Sequence, residues 1–305
     1  MTDGPAAATA EEAAAGRTAG PAGPKRAGAL AHPLRRLGRN PRTVLGAAVL
    51  LVLCGMAVLA PLVAPSAPDH ANFLDRLAPP GAAHPFGADH LGRDVLSRVI
   101  WASRTSLSVG VVSAAAAVAL GLLLGGTSGY FGGWLDAVVM RSTDVVLAFP
   151  VFFIAVMFLA VFGPSVPGLI LVLAATSWPP SARLVRAEFL RLREREFVVA
   201  TRALGASNLR IMTRHLLPNV VAVVVISVTL RVGLAILAEA SLSYLGLGVQ
   251  PPTPSWGNII ADGRDYLLTA WWVSLVPGMF VLLAVLAFNL VGDGVRDAFD
   301  PKMQL

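Results

Sequence analysis

The stretch "REFVVATRALGASNLRIMTRHLLPN", residues 195–219, is a basic and helix-compatible segment inside a chain that is otherwise strongly apolar. It holds several arginines, one glycine at position 205, and a proline at 218, where the next apolar run begins. Such a segment between apolar runs indicates membrane spans joined by a structured polar element.

The order of residues predicts a helix, a break and a second short helix. Gly205 permits the left-handed backbone that ends "REFVVATRAL" as a helix. Ser207 or Asn208 can cap the second helix, "LRIMTRHLL". Pro218 can occupy the first turn of the next span, where its missing N–H costs nothing.

The second short helix is predicted to be amphipathic. Leu209, Met212 and Leu216 form an apolar stripe, and Arg210 and Arg214 lie on another face. Two interpretations are open. The helix docks in a groove on a soluble partner, or it rests on anionic lipid.

The composition identifies an integral membrane protein. Of 305 residues, 55% are hydrophobic and 14% are charged, with a mean hydropathy of +0.69. A soluble domain has nearer a quarter charged residues. The net charge of +6 arises from arginines clustered between apolar runs, without interleaved aromatic residues, so it reflects membrane topology rather than nucleic-acid binding. Cys54, the single cysteine, is predicted to be a buried small hydrophobe.

About 20 apolar residues cross a bilayer as a helix, and six segments fit or nearly fit that length. Several are apolar on all faces, which excludes a soluble helical bundle. The prediction is therefore an all-α polytopic membrane protein with six transmembrane helices. The predicted spans are 43–63, 106–126, 145–162, 166–178 with a kinked continuation past Pro179-Pro180 toward 190, 220–247 and 270–291.

Lysine and arginine predict the orientation. Eighteen lie on the side of the two termini and of residues 179–219, and five lie in the opposite loops. The positive-inside rule then places both termini in the cytoplasm. In outer loop 64–105, the spacing of Leu91, Val95 and Val99 predicts an amphipathic surface helix. Outer loop 248–269 should begin extended and then form a short helix.

The chain divides into four predicted regions. Residues 1–29 are rich in Ala, Gly and Pro and are predicted to form a disordered cytoplasmic tail. Residues 30–104 hold the first span and an outer loop. Residues 105–294 form a five-helix core that includes the polar segment 190–219, and residues 295–305 form a cytoplasmic tail.

No catalytic or metal-binding pattern stands out. A G-x-x-x-x-G-K-[ST] loop is missing, so the chain is not expected to hold ATP in a phosphate-cradling loop. The spacing of His70, His84 and His90 matches no regular metal site. These histidines are predicted to be solvated in the loop, and no metal or other cofactor is expected on this chain.

Two charges lie inside the fifth predicted span. Arg231 is about 18 Å along the helix at 1.5 Å per residue, and Glu239 lies about 12 Å further. A central arginine should face a cavity or a partner. Both are candidates for a translocation path, with a structural role as the alternative. Asp136, Arg141 and Asp144 are expected to be structural and allow an Arg141–Asp144 pair.

Residues 195–219 resemble the cytoplasmic "EAA" loop of ABC-importer permeases. That pattern is E-A-A, three residues, Gly, nine residues and I-x-L-P. Aligned on Gly205, the residues Ala200, Leu217 and Pro218 match, whereas Val199, Thr201 and His215 depart. Since Val199 stands where the pattern has its glutamate, the glycine hinge and the apolar face must carry any coupling here.

Other segments resemble the dipeptide, oligopeptide and nickel importer permeases, in particular the second permease subunit of the pair. They are "HPFGADHLGRDVLSRVIWASRTSLSVG" at 84–110, "ILAEASLSYLGLGVQPPTPSWGNII" at 236–260, "AWWVSLVPG" and "NLVGDGVRDAFDPK". The resemblance covers about residues 33–304. It implies the six-span type I ABC importer fold and a bacterial plasma-membrane location.

The resemblance also implies partners and site residues. The partners are a homologous permease in a heterodimer, two cytoplasmic ATPases that bind ATP and Mg²⁺, and an extracytoplasmic substrate-binding protein. The coupling residues that it implies are Ala200, Arg202, Ala203, Leu204, Gly205, Ala206, Ser207, Leu209, Met212, Leu217 and Pro218.

Two other functions compete with an importer permease. A secondary transporter or channel would place ionisable residues in several spans or show an inverted repeat. A membrane scaffold without transport would leave the matches in so many loops unexplained. Among substrates, peptides are expected first, and a nickel or other metal chelate or a glutathione-like compound stays open.

Overall fold

The computed structural model describes residues 40–299, and this part of the chain is all-α. The predicted tail at 1–29 and the end of the tail predicted at 295–305 lie outside it. The helices are α1 Pro41–Val58, α2 Ala60–Val63, α3 Val95–Phe131, α4 Gly133–Ala148, α5 Val151–Phe162, α6 Val166–Ser177, α7 Pro179–Arg193, α8 Glu196–Ala203, α9 Asn208–Ile211, α10 Leu217–Tyr244, α11 Trp256–Gly263 and α12 Trp272–Phe299.

Within these residues, four helices are long and apolar enough to cross a membrane: α1, α3, the continuous helix Asn208–Tyr244, and α12. Two bent helix pairs, α4 with α5 and α6 with α7, raise the number to six when each pair counts as one span. The all-α, multi-span prediction is confirmed, and the geometry of individual spans differs from it.

The second span is longer than predicted. Asp94 caps α3 by accepting the Ser97 N–H at 2.7 Å, and Gly132 ends the helix with φ +67°. The predicted amphipathic surface helix is wrong. Leu91 precedes α3, and Val95 and Val99 are buried in the core. The apolar spacing arises from core packing and not from contact with a membrane surface.

The third predicted span, 145–162, is not one straight helix. Helices α4 and α5 meet at 82°. Phe149, the residue before Pro150, has an extended backbone with φ −107° and ψ 137°. A residue before proline is disfavoured in the helical region, and proline itself lacks the N–H that would continue the helix.

The kink in the fourth span is confirmed. Helices α6 and α7 meet at 43° beside Trp178, and Pro179 opens α7. The continuation reaches Arg193, three residues beyond the predicted end.

Pro218 lies in the first turn of α10, as predicted, but the second short helix is not separate from this span. Residues 208–244 form one continuous helix, with a π-helical turn at Met212–Leu216. The N–H of Leu217 donates to the carbonyl of Met212, five residues back. The wider turn accommodates a proline inside the helix, where the regular hydrogen-bond ladder would clash with its ring.

Helix α3 lies at the centre of the molecule and packs on α1, α6, α7 and α10. Its contact with α7 depends on small residues. A Cβ on Gly121 or Gly125 would overlap Ser181 or Ala182 of α7, and one on Gly129 would overlap the Arg186 backbone. Close backbone approach of this kind is typical of membrane helix pairs.

Two ion pairs join α4 to α7. Arg186 binds both carboxylate oxygens of Asp136, and Arg183 binds Asp144. The predicted Arg141–Asp144 pair is therefore wrong, because Asp144 has its partner on the neighbouring helix.

The prediction for Cys54 is also wrong, because this side chain is exposed. Only one side of α1 is buried against α12 and α3, through residues such as Gly46 and Leu53. Cys54 lies away from that side.

Candidate functional site

The polar segment forms a compact turn at the end of the molecule opposite to residues 64–94. Helix α8 ends at Ala203 with Leu204 as its C-cap residue, and Gly205 follows with φ +81°. The Gly205 N–H donates to the Arg202 carbonyl at 3.0 Å, and the Ala206 N–H donates to the Thr201 carbonyl at 3.3 Å. This pair of bonds is a Schellman motif, which favours glycine at the left-handed position. The predicted glycine break is confirmed.

The apolar side chains of this turn divide into an inner and an outer set. Val198, Ile211 and Leu216 are buried in one cluster with Phe189 of α7. The predicted stripe is therefore wrong as a single exposed face, since Leu216 belongs to the inner set. Because this helix continues into a membrane span, part of its apolar side chains pack against the other helices of the protein.

The outer set defines a surface that we call the coupling surface. Leu204 is 89% exposed and Leu209 is 71% exposed, with Phe197 and Val199 exposed beside them. Large apolar side chains that are exposed around a structured turn are typical of a surface that contacts another protein or a membrane.

The predicted coupling residues lie mostly on this surface. Partly buried are Ala206, Met212 and Leu217. Exposed are Ala200, Arg202, Ala203, Leu204, Gly205, Ser207, Leu209 and Pro218. Ser207 occupies the N-cap position of α9, but its side chain makes no capping bond.

The turn is fastened to the body. Tyr130, near the end of α3, donates its hydroxyl to Asn208 Oδ1 at 2.8 Å. The Arg202 guanidinium lies over the Tyr130 ring at 5.9 Å. Arg193 Nη1 donates to the Gly129 carbonyl at 3.2 Å. These contacts and the buried cluster hold α8 and α9 against α3 and α7.

Arg231 lies in α10 beside a cavity between helices. Its Nε donates to Ser181 Oγ of α7 at 2.8 Å. Other residues lining the cavity are Ser113, Leu173, Thr176, Ser177, Pro180 and Leu234. The two helices that continue from the coupling surface, α7 and α10, therefore meet again at the cavity.

Glu239, the second predicted path residue, is fully buried and does not line this cavity. Its carboxylate accepts the Ser106 hydroxyl at 2.9 Å and the Ser243 hydroxyl at 2.7 Å. Ser106 Oγ in turn accepts the Trp256 N–H at 3.1 Å. Glu239 thus joins α3, α10 and α11, as expected for a buried acid whose hydrogen bonds are made inside the chain.

Near residues 64–94 lies an ion cluster that the sequence reasoning missed. Asp89 Oδ2 accepts from Arg93 Nε and from Arg98 Nη1, both at 2.7 Å. Asp262 Oδ2 accepts from Arg93 Nη2 at 3.1 Å and from Arg98 Nη1 at 2.8 Å. Burial alone would raise the pKa of Asp89, but Arg98 and Arg93 outweigh burial and hold that pKa below its ordinary value. The sequence did contain a signal for this cluster. Asp89, Arg93 and Arg98 are charged residues close to the start of α3, which is buried.

The ligand atoms of Asp89, His90 and Asp262 lie within 4.8 Å of one another. Both carboxylates already bind Arg93 and Arg98. The two guanidinium groups oppose a further cation, so we interpret the cluster as a structural link between the two loops.

The prediction of solvated histidines holds for exposed His70 and is wrong for His84. The ring of His84 lies 3.1 Å from Asp94 Oδ1 and 3.4 Å from Asp75 Oδ2. Burial lowers the pKa of His84, but hydrogen bonds and charge from Asp94 and Asp75 more than compensate, so the net shift is upward.

Comparison with known proteins gives consistent matches over almost the whole described chain. Residues 94–305 match the family described as "Binding-protein-dependent transport system inner membrane component". Residues 31–80 match the family described as "N-terminal TM domain of oligopeptide transport permease C".

Curated relatives match over similar lengths. The dipeptide transport system permease protein DppC of Alkalihalophilus pseudofirmus is 40% identical, over 88% of this chain and 89% of the relative. DppC of Bacillus subtilis is 38% identical, over 88% and 85%. The glutathione transport system permease protein GsiD of Escherichia coli is 40% identical, over 88% and 89%.

Proposed function

Because this chain belongs to the family of binding-protein-dependent transport system inner membrane components, we propose that it forms one half of the translocation path of an ATP-driven peptide importer. It is a multi-pass inner-membrane transport subunit and not an enzyme, and the ATPase is a separate protein. Family membership sets aside the secondary transporter or channel and the scaffold without transport.

The peptide substrate is supported by the relatives. DppC of two organisms is named for dipeptide transport, and GsiD is named for transport of glutathione, itself a tripeptide derivative. We therefore propose di- and oligopeptides before nickel or another metal chelate. Ligand screening of the cognate binding protein separates these substrates directly.

The proposed assembly contains a homologous permease, two cytoplasmic ATPases that bind ATP and Mg²⁺, and an extracytoplasmic binding protein. The coupling surface at Leu204 and Leu209 binds an ATPase, and the end with residues 64–94 receives the loaded binding protein. Both termini lie in the cytoplasm in this arrangement.

One observation carries the mechanism: the helices on both sides of the coupling surface also border the cavity. Helix α7 leads into the turn and contributes Pro180 to the cavity wall, and the continuous helix 208–244 leads out of it and contributes Arg231. When the ATPase dimer closes and displaces Leu204, the turn moves as a rigid body together with α7 and α10. It does so because Phe189, Ile211 and neighbouring side chains pack the turn tightly. The cavity therefore opens or closes with the ATPase cycle.

The test replaces exposed leucines with a charge. We expect Leu204→Asp and Leu209→Asp to reduce ATPase retention on the purified permease at least about tenfold. Burial of one leucine contributes about 1.5–3 kcal/mol, and 1.4 kcal/mol corresponds to a tenfold change in affinity. Retention is measured by co-purification and by ATP-driven uptake of peptide in proteoliposomes.

Leu268→Asp is the matched control, because Leu268 is 100% exposed and lies in loop 248–269 at the other end of the molecule. This variant should retain the ATPases. If Leu204→Asp and Leu209→Asp retain the ATPases as well as Leu268→Asp does, the assignment of the coupling surface is wrong.

A further inference from the structure

The cavity beside Arg231 has a volume of about 230 Å³ and is lined by residues of α3, α4, α5, α6, α7 and α10. Its walls are mainly apolar, formed by residues such as Leu147, Leu173 and Ala235. The polar groups around it are few and come from Ser113, Thr176, Ser177 and Arg231. An apolar cavity with a small number of convergent polar groups has the character of a ligand site.

Arg231 brings an uncompensated positive charge to this cavity. In the described part of the chain, its guanidinium makes no ion pair, and its one hydrogen bond uses Nε and the neutral Ser181 hydroxyl. The two terminal nitrogens have no partner within residues 40–299, and no acidic side chain lines the cavity there. A charge held among helices normally has a partner, so these nitrogens point to an anionic ligand.

Ser113 of α3, which also lines the cavity, provides an independent observation. Its side chain is only 1% exposed, and its Oγ has no hydrogen-bond partner among the described residues. Buried hydroxyl groups are almost always hydrogen-bonded. A ligand oxygen in the cavity would supply the missing acceptor.

We propose that the cavity binds the C-terminal carboxylate of the peptide during translocation. The inference rests on the proposed function and names the part of the substrate that this chain recognises. The terminal nitrogens of Arg231 form a two-pronged donor that matches a carboxylate, and the Ser113 hydroxyl donates from α3. The apolar residues around them accommodate the last side chain of the peptide.

The volume sets a limit on the ligand. About 230 Å³ is below the range of about 300–1,000 Å³ found for sites that enclose a drug-sized molecule. The cavity therefore holds one end of a peptide, while the rest extends into the path. This chain would then recognise the peptide terminus and tolerate different residues further along.

The test compares a tripeptide that has a free C-terminal carboxylate with the same tripeptide as its C-terminal amide. The affinity of the binding protein for both is measured first, and uptake into proteoliposomes is run above both Kd values. We expect Arg231→Gln to reduce uptake of the acid at least about tenfold, while uptake of the amide changes less than about twofold. Arg231→Lys keeps the charge and should recover part of the loss.

Ser113→Ala removes one hydroxyl and should reduce uptake of the acid about threefold without affecting the amide. Arg141→Gln is the control, because Arg141 is exposed on α4 and has no ion pair within the described residues. Stimulation of the ATPase by the loaded binding protein shows that each variant assembles.

The outcomes are distinct. Equal losses for acid and amide in Arg231→Gln would assign Arg231 a structural role through Ser181 and overturn the proposal, and so would no loss for either peptide. If the unmodified complex assembles with its ATPases and transports neither peptide, the proposed peptide substrate itself fails, and the carboxylate site fails with it.

Discussion

Gly205 sets the backbone geometry of the turn for which we propose a coupling role. Its backbone has φ +81°, and a Cβ at this position would meet no atom within 4 Å. Within this chain a substitution there acts through the backbone, since the left-handed conformation costs an L-residue about 1–2 kcal/mol. The cost is larger for a β-branched side chain.

We expect Gly205→Val to shift or loosen the turn and so to reduce ATP-driven peptide uptake severalfold in proteoliposomes. Gly205→Asn is the matched variant, because asparagine adopts the left-handed conformation more readily than other residues. It should retain most of the uptake. Equal uptake by Gly205→Val and the unmodified protein would refute the coupling role of this turn.

The same residue shows what could be predicted from the sequence. The glycine break depends on local backbone chemistry, so it is readable from neighbouring residues. The hydrogen-bond partners of Glu239 could not be predicted from its neighbours in the sequence, because Ser106 lies 133 residues away in the chain. A buried acid implies hydrogen-bond donors, and only the packing of α3 against α10 shows which ones.

Among the helices, the kink at Pro179 was predicted from the sequence, whereas the break at Pro150 and both bend angles were not. Pro150 and Pro179 both interrupt a span, but the resulting angles are 82° and 43°. Proline removes a donor and restricts its predecessor, which identifies the break. The angle depends on what each half packs against, and Pro218 is accommodated without a break by a π-helical turn.

The close contact between helices α3 and α7 predicts that a larger side chain at Gly125 destabilises the protein. A Cβ on Gly125 would overlap the Ala182 backbone, which cannot rotate away. We expect Gly125→Val to separate the two helices and to destabilise the permease by about 1–3 kcal/mol or more, the usual cost of overpacking. The measurement is thermal unfolding of the purified permease complex in detergent.

Gly55→Val is the control for this prediction, because Gly55 lies in the apolar helix α1 and a Cβ there would meet no atom within 4 Å. Both variants add the same side chain to an apolar helix. Should Gly125→Val unfold at the same temperature as Gly55→Val, the close approach of α3 and α7 would not be the contact that limits stability.

In the molecule as a whole, the helices at the periphery expose many apolar side chains. Leu51 in α1 and Leu62 in α2 are exposed, as are Val161 and Phe162 at the end of α5. Soluble proteins rarely expose such continuous apolar surface. Lipid covers it in the membrane, and part of it is available for the proposed second permease.

The proposed orientation of the molecule rests on arginine and lysine, eighteen of which lie on the side of residues 179–219 against five in the opposite loops. The structure supplies two sites that test it. Glu194 has a side chain 76% exposed beside the coupling surface, and Leu268 is fully exposed at the other end.

Cys54 is the only cysteine, so Cys54→Ala provides a background without thiols. We expect a membrane-impermeant maleimide to label Leu268→Cys in right-side-out vesicles and Glu194→Cys only in inverted vesicles, because positive loops stay in the cytoplasm. The cysteine-free variant is the control and should stay unlabelled in both. The reverse pattern would place the coupling surface outside the cell, away from ATP, and would exclude the importer mechanism together with the orientation.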